Sequence, residues 1–145
     1  MNMLMVDLIR KTPYKRVRLP KKLSAILEDG FLEINDCLFF RHFYKANPHL
    51  TENQFEDKTD YEHFVNDFHF DDYCKNCTVN HVFLFVSKMI KTVNERKNKT
   101  PITIIISSDN NDIFLSFTTQ HADEMPLINP SETDCYQQPL MLIEF

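Results

Sequence analysis

Cys74-Lys75-Asn76-Cys77 is the one motif in this 145-residue chain that carries a mechanism with it. Two thiols at this spacing, ahead of a helix, face the positive end of a helix dipole, which favours thiolate and fits a redox pair. Asp71 and Asp72 lie just upstream and oppose this by raising a thiol pKa. No strand leads into the motif as a thioredoxin-like β–α unit requires. With His81 the same residues read C-x2-C-x3-H, three soft ligands of the kind zinc takes, for which His69, Cys37 or Cys135 is the candidate fourth. A second paired ligand set is missing. Ordinary thiols packed near a helix start are the simpler account, and the sequence assigns no metal and no cofactor.

Other polar pairs offer less. His63 and Asp67 share a helix face at i, i+4, the layout of a general base and its orienting acid, but no nucleophile or oxyanion hole accompanies them. Asp109 and Asp112 resemble a fragment of a calcium loop without its Gly and distant Glu, and turn chemistry explains them better. The chain has a single Gly, at position 30. That excludes G-x-G-x-x-G dinucleotide loops, P-loops and the G-x-S-x-G elbow, all of which need several glycines to bring backbone N–H groups round a ligand. The expectation is a protein without catalytic activity.

Charge is the more informative property. The net charge is −5, but residues 1–27 hold seven basic residues against Asp7 alone, whereas from Thr100 onward there are seven acids and no Lys or Arg. Residues 46–80 add eight acids against Lys58 and Lys75. If these segments met in space they would form one field attracting a cationic protein surface and repelling nucleic acid. The residues expected to carry it are Asp71, Asp72, Asp109, Asp112, Asp123 and Glu124.

The elements that must position these residues are read from hydrophobic period. Thr59-Asp60-Tyr61-Glu62 reads as a capping box, and Tyr61, Phe64, Val65 and Phe68 follow on one stripe, which predicts a helix over about 59–69. Val79, Val82, Phe83, Val86, Met89, Ile90 and Val93, with Leu84 and Phe85 widening the stripe, predict a central helix over 79–97, ending in Lys91, Arg96 and Lys97 before Pro101. The period then changes to two. Residues 102–106 and 113–117 form a hairpin about a turn at 109–112, and 139–145 is a last, edge strand. Residues 21–29 read as a short helix stopped by Gly30, and 31–44 as strand in part. The run Phe39-Phe40-Arg41-His42-Phe43-Tyr44 is core, or, on a strand, a source of outward aromatics for a binding surface. Residues 46–58 and 119–138 are irregular. The sum is one α+β domain over 1–145, a mainly antiparallel sheet with helices on one face.

The N-terminus lacks the basic region and cleavage site of a signal peptide, and no window is apolar enough to span a membrane, so the expectation is a cytoplasmic protein with reduced thiols. In size, scarcity of Gly, Phe/Asn/Lys-rich composition and acidic segments, the chain resembles the bacterial immunity proteins that neutralise secreted or contact-delivered toxins. That resemblance implies a one-to-one complex with a cognate toxin domain, such as a nuclease, blocked by the six carboxylates named above. The acidic charge argues against a nucleic-acid partner and the lack of an apolar window against a membrane, and no small-molecule ligand is expected. The alternative is a small zinc- or thiol-dependent protein built on Cys74, Cys77 and His81.

Overall fold

The computed structural model describes residues 1–96, 99–110 and 112–145. Lys97 and Asn111, which fall inside the expected helix end and turn, lie outside the described residues.

The β-branched run after Pro101 makes strand β4 (Ile102–Asp109), which folds back as β5 (Asp112–Thr119) in register from Ile102↔Thr119 to Asp109↔Asp112. With β3 (Phe68–His69) outside β5 and β6 (Leu140–Glu144) outside β4, the sheet order is β3-β5-β4-β6, antiparallel throughout. Alternation puts Ile104, Ile106, Leu115 and Phe117 on one face, all buried. Helix α5 (Val79–Asn94) buries Val79, Val82, Phe85, Val86, Met89 and Val93 in the same core. Helix α1 (Met3–Lys11), which the hydrophobic period did not signal, adds Met5 and packs beside Val79, Val82, Ile106 and Met141.

Residues 31–44 resolve into three elements. Helix α2 (Lys21–Asp29) stops at Gly30, whose φ of +73° suits Gly alone, as expected. Strands β1 (Phe31–Ile34) and β2 (Cys37–Phe40) then form a hairpin round Asn35 and Asp36, both at positive φ (51° and 67°), the backbone a two-residue turn needs. Helix α3 (Arg41–Ala46) follows. The aromatic run is therefore core. Phe40 is fully buried, with ring centroids 5.0 Å from Phe117, 5.1 Å from Phe31 and 5.6 Å from Phe43. It offers no outward binding face.

Helix α4 (Lys58–Asn66) corrects the capping-box reading. Its N-cap is Asp57, whose side chain accepts from the Asp60 amide at 2.8 Å. Glu62 points inward, and Phe64 on the expected apolar stripe is 59% exposed. The reason lies across the chain. Among the described residues, the outer edge of β5 has no strand beside it beyond the two residues paired with β3, and neither has the outer edge of β2. Glu62 and Asn66, one turn apart on α4, fill both gaps. Glu62 accepts from the Leu38 and Thr119 amides, while Asn66 accepts from the Phe40 amide and donates to the Leu38 and Phe117 carbonyls. Two side chains thus stand in for a missing strand and join the hairpin to the sheet. The result is an α+β fold with α1 and α5 on one sheet face and α4 along the β5 edge.

Candidate functional site

The carboxylates do not form a single patch. Asp109 and Asp112 close the β4–β5 turn. Asp71 and Asp72 are exposed on the short helical turn Phe70–Asp72 that continues β3 towards the same end. His69 of β3 fixes the junction, with Nδ1 2.7 Å from Asp112 Oδ2 and its ring against Phe114. Asp112 Oδ1 is buried and has no hydrogen-bond partner among the described residues. None of these four acids is ion-paired to a Lys or Arg among the described residues.

Asp123 and Glu124 follow the other end of β5, an eight-residue strand roughly 25 Å long at the strand rise. Asp123 is exposed. Glu124 is occupied within the fold. It accepts from the Lys58 and Thr59 amides (3.1 and 2.9 Å) and the Thr59 hydroxyl (2.6 Å), covering the first turn of α4. Burial pushes its carboxyl up, but these donors outweigh that and hold it below the ordinary carboxylate value. Among the described residues, no Lys or Arg of the basic segment 1–27 is ion-paired to either group. Pro13 is tied to Asn80 of α5, and Tyr14 to Arg18 border an open groove with Asn80, Phe83 and Leu84.

The thiol motif lies beside the acidic end. The Cys74–Cys77 loop turns at Asn76 (φ 59°) and runs into α5 through Thr78. His81, the third residue of α5, is held at Nδ1 by the Thr78 amide (3.2 Å) and lies 3.1 Å from its hydroxyl. Sγ of Cys74, Sγ of Cys77 and a ring nitrogen of His81 all lie within 4.8 Å of one another. Burial pushes the Cys77 thiol up, reinforced by Cys74 and by the charge of Asp71, which opposes a nucleophilic role. None of the expected fourth ligands joins this group: His69 is engaged by Asp112, and Cys135 is exposed on the turn Pro130–Cys135.

Cys37 belongs to a second group, with Glu62 and His121, that sequence reasoning missed. Its members lie 25 and 59 residues apart with no motif linking them, so only the fold brings them together. Burial pushes the Cys37 thiol up to about 12, and Glu62 above its ordinary value. His121 lies 3.2 Å from Glu62 and lines a cavity of about 300 Å³ with Thr103, Thr118, Glu124 and Met125. His63, whose spacing to Asp67 offered the layout of a general-base pair, has its Nδ1 2.6 Å from Ser116 Oγ.

Taken together, these features define a small α+β protein with one four-stranded antiparallel sheet, an acidic turn end and a Cys-Cys-His cluster beside it. The chain belongs to the Uncharacterized protein PM0498 family, whose model matches residues 1–145. No curated protein and no solved structure is significantly similar to it. No helix among the described residues is long and apolar enough to cross a membrane.

Proposed function

We propose that this chain is a non-catalytic binding protein that occludes a basic protein, in the manner of an immunity protein acting on a toxin nuclease in the cytoplasm. The observation that supports this reading is the acidic turn end: Asp71, Asp72, Asp109 and Asp112 together, none of them ion-paired to a Lys or Arg among the described residues. Asp71, Asp72 and Asp109 are exposed and so are accessible acceptors for an incoming Lys or Arg. Carboxylates of this kind speed encounter with a cationic surface, and those that become buried resist dissociation. Asp123 and Glu124 drop out of the contact set, one by distance and the other by its work on α4.

Capture from the native host with this chain as bait, followed by calorimetric titration of the captured protein, tests the reading. The expected result is a basic protein bound one to one, with affinity reduced at least a hundredfold by Asp71→Asn, Asp72→Asn, Asp109→Asn and Asp112→Asn combined. Unchanged affinity in that variant, with its unfolding midpoint preserved, would reject it.

A further inference from the structure

We propose that Cys74, Cys77 and His81 form a binding site for one zinc ion, with both thiols bound as thiolates and the fourth position left to solvent. The donors are the soft sulfur and imidazole ligands that zinc selects. Their mutual separations, all within 4.8 Å, already approach those of a tetrahedral site. Zinc–sulfur bonds of ~2.3 Å and zinc–nitrogen bonds of ~2.0 Å place ligand atoms roughly 3.5–3.8 Å apart, so closure asks for side-chain movement of about 1 Å.

Local structure prepares the site. Asn76 in the left-handed region turns the chain so that both sulfurs face one point, and His81, four residues beyond Cys77, reaches that point from the first turn of α5. The Thr78 amide donates to Nδ1 of His81, which leaves the ring proton on Nε2. Binding zinc at Nε2 moves that proton to Nδ1, where the Thr78 hydroxyl, 3.1 Å away, can accept it in place of the amide contact. The group Cys37, Glu62 and His121 is equally close but is no competitor. Glu62 is fully buried, and both its oxygens are engaged by the Leu38 and Thr119 amides, which a metal would leave orphaned.

The test uses the full chain, reduced and stripped of metal, titrated with Co²⁺ and then Zn²⁺. One Co²⁺ per chain is expected, with a thiolate-to-metal charge-transfer band and the visible spectrum of a tetrahedral ion, both abolished by stoichiometric Zn²⁺. Cys77→Ser should lose the charge-transfer intensity of one thiolate and at least tenfold in affinity, and His81→Gln, on a partly exposed side chain, should also lose at least tenfold. Cys37→Ser combined with Cys135→Ser should leave the titration unchanged. Absence of Co²⁺ binding, a spectrum without charge transfer, wild-type binding in both Cys77→Ser and His81→Gln, or loss of binding in the Cys37/Cys135 variant would each overturn the assignment.

Discussion

Glu62 is the residue on which most of the architecture converges. Its two oxygens serve backbone N–H groups on opposite sides, Leu38 on the hairpin and Thr119 on the sheet, so either rotamer of an amide in its place would point an NH₂ at a backbone N–H. Glu62→Gln therefore leaves one buried donor unsatisfied at almost unchanged volume and is expected to cost about 1–3 kcal/mol. Urea unfolding measures it, and an unchanged midpoint would show that the carboxylate does not bind both edges. His63, one residue on, supplies the pH dependence. Burial lowers its pKa more than Asp67 and Asp60 raise it. The unfolded chain, titrating near ~6.5, then takes up the proton before the folded one. Stability falls as pH drops below that value and levels off once the folded pKa is passed. His63→Gln should flatten this decline between about pH 7 and pH 5 in denaturant titrations. An identical slope in the variant would assign the decline to other groups.

At the scale of elements, what is legible in the sequence is what local pattern dictates. Helix α5 carries its own stripe, β4 and β5 are β-branched and joined by an Asp/Asn turn, and α2 is closed by the only Gly. Each of these would be read the same way in any context. Residues 31–44 are harder because they change from strand to strand to helix within fourteen positions, and their apolar residues fit the strand and the helix period alike. The β1–β2 turn is made by Asn35 and Asp36 without a Gly, so its usual signal is absent. The start of α4 misleads for a different reason. Thr59 and Glu62 have the right types and spacing for mutual capping, but each finds a better partner in the fold: Thr59 pairs with Glu124 and Glu62 with two strand edges. Capping is a local preference, and an unsatisfied sheet edge outweighs it. The candidate sites divide along the same line. Cys74, Cys77 and His81 are close in sequence and stand out there, whereas Cys37, Glu62 and His121 meet only through tertiary structure.

For the whole molecule the decisive property is that the charges of its basic leader and its acidic turn end are not paired with each other among the described residues. Lys15, Arg16 and Arg18 lie on the leader, next to α5, and make no ion pair among the described residues, while the four acids of the turn end are likewise without a Lys or Arg. A cationic partner approaching the acidic end is thus attracted by one segment and repelled by the other. This fixes the sign of an effect that a purely structural leader would not have. Replacing Lys15, Arg16 and Arg18 together by Gln should raise the association rate of the captured basic partner at low salt, by up to about tenfold, with little change in dissociation. The gain should vanish near ~1 M salt, where the screening length falls to about 3 Å. Stopped-flow association across an ionic-strength series reads both features. A slower association in the variant would instead place the leader itself in contact with the partner, and the acidic end would no longer be sufficient to explain the encounter.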